Sequence, residues 1–195
     1  MKTLKLTAVL LFLAISANFA QTSWAFDKSH SKIGFSVSHM VISETEGNFK
    51  EFDGSVSSEG DNFEGAKINF SADIKSIDTD NEKRDNHLQS DDFFNAEKFP
   101  KLIFKGKSFT KVDGKMYKLV GDLTIRDKTK EVELDVKLNG TVKDPWGNTR
   151  AGFNLEGEVS RFDFDLKWNT LLETGGLVVG EDVTILGKIE LIKQK

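Results

Sequence analysis

Residues 84–94 read "RDNHLQSDDFF" and crowd Arg84, Asp85, His87, Asp91 and Asp92 into one short run that ends in Phe93 and Phe94. A histidine beside carboxylates can move protons, and an arginine next to them can hold an anionic head group. With His87 paired to Asp85 or Asp91, the run would suit a hydrolase or isomerase acting on a lipid. The simpler reading makes Arg84 and Asp85 a salt-bridged pair that pins a helix in place. Elsewhere the sequence offers little competing chemistry. The three histidines, His30, His39 and His87, lie far apart with no H-x-H or H-E-x-x-H pairing, so neither a metal site nor a cofactor is expected. The absence of cysteine removes a thiolate nucleophile and any disulfide. A G-x-S-x-G elbow, a G-x-G-x-x-G loop and a Walker loop are all missing. Carboxylates are plentiful enough for a glycosidase-type pair, but on a strand protein they usually cover solvated faces.

The elements that must position this run are strands. "IGFSVSH" sets Ile33, Phe35, Val37 and His39 on one face, and "KINFSADI" does the same with Ile68, Phe70, Ala72 and Ile74. "EVELDVKL", "GFNLEGEV" and "VTILGKIEL" repeat the alternation, and shorter strands are expected at "NFKEFDGSV", "KLIFKGKSF" and "YKLVGDLTI", about eight in all. Turns are expected at "VDG" near Val112, "NG" at Asn139 and "DPWGN" at Asp144. Strands with one polar face must bury the other on one another, which predicts an all-β antiparallel sandwich or a closed barrel; about eight strands suffice to enclose one small ligand. Only residues 78–96 break the alternation. "TDNE" at residues 79–82 has capping-box spacing, so a short helix carrying Lys83, Arg84, His87 and Leu88 is expected between two strands.

Composition narrows the function further. A chain of 195 residues with 38% hydrophobic content suits one domain, and 16 Phe against three Trp and one Tyr suggest a dry interior, where a Tyr hydroxyl would need a partner. Residues 1–20 have a basic start, Lys2 and Lys5, an apolar middle and a small-residue end, the pattern of a cleaved export signal. Cuts after Ala20 and after Ala25 both fit. Loss of those two lysines leaves 25 basic against 31 acidic residues, interspersed and without a basic block, which disfavours nucleic acid as a partner. No other stretch is long and apolar enough to span a membrane.

Taken together and in order, "WAFDKSHSKIGFSVSHM", "GNFKEFDGSV", "SIDTDNEKRDNHLQSDDFFNAEKFPKLIFK", "LVGDLTIRDKTKEVEL", "DPWGNTRAGFNLEGEVSRFDFDLKW" and "GEDVTILGKIEL" resemble the YceI-like family of periplasmic polyisoprenoid-binding proteins. The resemblance implies a lipocalin-like, extended eight-stranded antiparallel barrel with a short helical insertion. It further implies an apolar lumen for a long isoprenoid such as a quinone or prenyl phosphate, no enzymatic activity, and a role in transport, storage or sequestration. Trp24 looks like the first residue of the family's domain, which favours the cut after Ala20 and leaves residues 21–195 as the barrel. Asp127 and Asp165 stand where the family has Gly, and Glu131 where Pro is common; Asp tolerates the left-handed region, so the turns can survive. Strand parity nominates Phe35, Val37, Phe70, Ile74, Leu102, Phe104, Leu134 and Phe153 as lumen lining. Arg84, Asp85, His87 and His39 are candidates for the mouth, bordered also by the "TGGLVVGED" loop with Gly175, Gly176 and Gly180. A homodimer and a ligand-free stress or scaffold role stay open.

Overall fold

Alternating sequence becomes strand wherever each second side chain can be buried. The computed structural model describes residues 21–60, 62–173 and 175–195. Eleven strands form: β1 (Gln21–Phe26), β2 (Lys32–His39), β3 (Ser43–Phe49), β4 (Phe52–Glu59), β5 (Asn62–Asp73), β6 (Ile77–Asp78), β7 (Lys101–Asp113), β8 (Met116–Ile125), β9 (Lys128–Lys143), β10 (Thr149–Ser160) and β11 (Val179–Lys193). One helix, α1 (Glu82–Gln89), interrupts them. In β8 the inward set Tyr117, Leu119, Leu123 and Ile125 is buried, and in β9 Val132, Leu134 and Val136 are buried between exposed acids and lysines. Each such aliphatic contributes roughly 1.5–3 kcal/mol on leaving water.

All pairings are antiparallel, and the order β1-β4-β5-β7-β8-β9-β10-β11 returns to β1. Closure depends on β1, which bridges two neighbours: Gln21 to Trp24 pair with β4, and Trp24 to Phe26 pair with the end of β11. Eight strands thus make a closed barrel. The upstream half of β11 turns instead to β2, and β2, β3 and β6 extend the wall. One end is packed solid. Trp24 is 1% exposed, donates its Nε1–H to Ser58 Oγ at 3.0 Å, and packs on Phe63, which meets Phe153 edge-on at 4.9 Å. Nearby, Phe109 stacks on Tyr117 at 4.7 Å. At the other end lie α1, the following residues 93–96, and the 3-10 segment Arg161–Phe164.

Several expectations are corrected. "NG" at Asn139 makes no turn; β9 runs straight through it, with a bulge where Gly152 faces Gly140 and Phe153 faces Leu138. "NFKEFDGSV" is split between two strands, β3 and β4. The helix cap is Asn81 rather than Thr79: its side chain accepts from the Arg84 amide, while Thr79 is buried and otherwise engaged. Asp165 does adopt the left-handed conformation (φ 59°), but in the β8–β9 turn it is Arg126 (φ 55°), not Asp127, that does so. Residues 1–20, and with them the export signal, lie outside the described residues.

Candidate functional site

The barrel encloses a cavity of about 220 Å³ whose wall is almost wholly aliphatic and aromatic. Phe35, Val37, Phe70, Leu102, Phe104, Leu134 and Phe153 all line it. Ile74 does not. Strand β5 ends at Asp73, whose side chain caps a 3-10 turn over Ile74–Ser76, so the alternation stops one residue short and Ile74 (1% exposed) packs in the core outside the cavity wall. Leu88 of α1, Phe93 and Phe94 close the wall near the helix, and Leu155, Val159, Val183 and Ile185 complete it on β10 and β11. Those last four follow the same period-two parity as the nominated residues and were legible by it.

Among the described residues one charged side chain reaches this wall, Arg161, and it is 3% exposed. Its guanidinium is taken up by main-chain carbonyls: Nε donates to Gly180 at 2.7 Å, Nη1 to Trp168 at 3.0 Å and to Leu166, and Nη2 to Val179 at 3.1 Å. What Arg161 offers the lumen is therefore its alkyl stem. Burial pushes its pKa down, opposed in part by Glu181, yet a guanidinium keeps its proton in proteins. The residue ties the segment at 166–168 to the start of β11. Arg161 continues the inward parity of Phe153, Leu155 and Val159, the one signal in the sequence that it faces the interior.

The run at 84–92 does not make the pairs its sequence suggests. Arg84 and Asp85 do not pair with each other; both close on Thr79. Arg84 donates from Nε to Thr79 Oγ1 at 2.8 Å and from Nη2 to its carbonyl at 2.6 Å, while Asp85 Oδ1 accepts from the Thr79 amide at 3.0 Å and hydroxyl at 2.5 Å. His87 meets neither Asp85 nor Asp91. Its Nε2 lies 2.9 Å from Asp92, and its ring sits edge-on to Phe93 and Trp168, both at 5.0 Å. Asp91 accepts from Arg126 and Asn95, and Arg126 also donates to the carbonyls of Phe93 and Asp165, tying the β8–β9 turn to the helix exit. His39 ends β2 opposite Val179 and Ser43 and does not line the lumen.

A second polar cluster lies on the outer wall. Asp27, His30 and Glu190 bring ligand atoms within 4.8 Å of one another, but Arg150 Nη1 donates to Asp27 at 2.6 Å and to Glu190 at 2.5 Å, filling the place a cation would take. Arg150 Nε donates to Asp144 at 2.7 Å, and this bond, with those from Asn148 and Trp146, holds the Asp144 carboxyl down at about 2. For Asp27, burial alone would raise the pKa; hydrogen bonds from Ser29, His30 and Arg150 overcome it and keep the carboxyl well below its ordinary range.

A closed eight-stranded antiparallel barrel around a dry cavity, with one short helix at its end, defines a lipocalin-like fold. The YceI-like domain family matches residues 24–191, and the chain belongs to that family. A UPF0312 protein of Staphylococcus aureus strain N315 is 39% identical over 163 residues, covering 83% of this chain and 92% of the relative. The Campylobacter jejuni YceI protein has the same fold with TM-score 0.71 and 34% identity, over 87% of this chain and 96% of its own. Likeness in fold alone extends to BcnA of Burkholderia cenocepacia (TM-score 0.73, 21% identity, 85% and 98% covered) and to a polyisoprenoid-binding domain of Saccharophagus degradans (TM-score 0.61, 13% identity, 88% and 98% covered).

Proposed function

We propose that the protein is a carrier that holds the tail of a long-chain isoprenoid, or a similar amphiphile, inside the barrel after export to the periplasm. The observation that carries this reading is the lumen itself: a cavity walled by Phe, Leu, Ile and Val, to which no carboxylate, amide or hydroxyl side chain of the described residues contributes. Such a space attracts apolar chain and offers a head group nothing, so the tail supplies the affinity and the head stays at the opening. The Saccharophagus degradans domain of the same fold, described as polyisoprenoid-binding, supports the same reading. So does the basic and then apolar sequence of residues 1–20, which reads as an export signal.

We read the protein as a binder and not an enzyme, because the pairs that a reaction at the mouth would use are not made: Asp85 accepts from Thr79, Asp91 accepts from Arg126, and His87 reaches the solvent-exposed Asp92 instead of either. The test is mass spectrometry of lipid extracted from the purified protein, alongside uptake of an added isoprenoid by the wild type and by Val183→Asp, which places a charge in the lumen wall opposite Val37. Uptake by the wild type and its loss in the variant, with the β-sheet circular dichroism kept, is the expected result. A wild type that is empty and also refuses added isoprenoid would make it a scaffold instead.

A further inference from the structure

The connection from β2 to β3 meets residues 170–173 and 175–178 in a single tip. Met40 donates its amide to the carbonyl of Val178 at 2.9 Å, and Val178 in turn donates to Thr170 at 2.9 Å. Leu171 bridges to Leu177, and a Cβ placed on Gly176 would stand 3.4 Å from Val41 Cγ2, so the two loops touch. This tip presents large apolar side chains to solvent: Ile42 is 85% exposed, Leu171 75%, Val41 70% and Met40 41%. Its backbone is costly as well. Met40 and Val41 sit at φ 53° and 63°, the left-handed region that a tight strand connection normally gives to Asn or Gly and that a β-branched residue rarely enters. Neither solubility nor turn chemistry accounts for these residues.

We propose that this tip is the surface by which the protein docks on a lipid bilayer, inserting Val41, Ile42 and Leu171 into the interface of a zwitterionic membrane. The inference rests on the carrier reading and adds where the carrier loads. Position favours a bilayer. The tip begins at Met40, three residues beyond Val37, and ends at Val178, one before Val179; Val37 and Val179 both line the lumen, so a tail passing along β2 and β11 goes from one apolar medium to another. Of the other exposed large apolar side chains, Ile103 lies within β7, while Val112 and Met116 sit at the β7–β8 hairpin and Val142 and Trp146 at the β9–β10 hairpin, on the end of the barrel filled by Trp24, Phe63 and Phe153. Charge narrows the class. Glu44, Glu46, Glu173, Glu181 and Asp182 flank the tip as exposed carboxylates, against Lys167, so an anionic surface repels it and a net-neutral one does not.

The experiment is flotation of the mature chain with phosphatidylcholine vesicles, together with the rate at which a fluorescent isoprenoid leaves those vesicles for the protein. Wild type floats and extracts. Ile42→Asp, at a site too exposed to matter for folding, lowers vesicle partitioning roughly tenfold, the scale of keeping one large aliphatic side chain out of an apolar phase, and slows extraction in parallel. Its equilibrium uptake of isoprenoid from detergent is unchanged, and phosphatidylglycerol added to the vesicles weakens wild-type flotation. A wild type that stays in solution, or an Ile42→Asp variant that floats and extracts like it, overturns the proposal. So does a wild-type dimer that Ile42→Asp dissociates in ultracentrifugation, since the patch would then be a self-interface. Failure of the carrier reading shows elsewhere, as a wild type that takes no isoprenoid even from detergent.

Discussion

If the lumen binds by tail burial, affinity must climb with chain length at fixed head group, and the cavity sets where the climb ends. An engineered apolar cavity of about 150 Å³ holds one benzene. On that scale the 220 Å³ present here takes about nine carbons. Each carbon removed from water is worth between about 0.3 kcal/mol, the realised efficiency of larger ligands, and about 0.8 kcal/mol, the full transfer value. Affinity should therefore rise roughly two- to fourfold per carbon, about 3–7 kcal/mol over nine of them. Longer chains enter only as lining side chains such as Phe35, Phe70 and Leu155, which are only partly buried, turn aside, so each further carbon gains less and uptake slows. An isoprenoid of about 30 carbons, at roughly 25 Å³ each, lies well into that second regime. Titration calorimetry with primary alcohols from about six to twelve carbons, each expected to show a negative heat-capacity change, measures both slopes. Equal affinity for the six- and nine-carbon alcohols, or affinity that follows the head group at constant chain length, would refute the reasoning.

Other consequences concern stability and processing. Arg161→Met keeps the stem in the lumen wall but leaves the carbonyls of Leu166, Trp168, Val179 and Gly180 without their donor; urea unfolding should show a loss of about 3–5 kcal/mol, and a loss under about 1 kcal/mol would mean that water replaces the guanidinium. Asp27 and Asp144 have folded pKa values below the ordinary 3.8, so their stabilisation is present above about pH 4 and is lost as the pH falls toward 2. The urea midpoint should drop across that window, and drop less in Asp27→Asn; a midpoint that is flat from pH 5 to pH 2.5 contradicts this. Trp24 and the rest of β1 close the barrel, so if residues 1–20 are the cleaved export signal proposed above, N-terminal sequencing of the processed chain should begin at Gln21, whereas a start at Phe26 would mean that the strand is dispensable.

Much of this was legible because strand parity is a local property. Val132, Leu134 and Val136 alternate with charged residues, and nothing in their surroundings had to be known to predict which way they face. The same rule fails where the backbone leaves the strand. Ile74 has the right parity, but the Asp73 side chain caps a 3-10 turn there and takes it off the lumen wall; Asn139-Gly140 has turn chemistry, but the neighbouring strand β10 holds it in the ladder as a bulge.

Partner choice among polar groups was hidden for a different reason. The sequence sets Arg84 beside Asp85 and His87 four residues before Asp91, yet adjacent residues on a helix point in different directions and α1 stops at Gln89, before an i,i+4 contact from His87 could form; the folded chain commits them to Thr79 and Asp92. Arg161 shows the extreme case: its four acceptors come from residues 166–180, brought together only when β11 returns to the barrel. By itself the sequence determined the all-β class, the dry interior and most residues facing it, because these follow from period-two alternation and an excess of Phe. Tertiary structure alone decided that β1 closes the ring, that Arg84 and Asp85 both close on Thr79, and that Val41, Ile42 and Leu171 meet in one exposed tip, because each depends on contacts the chain makes only when folded.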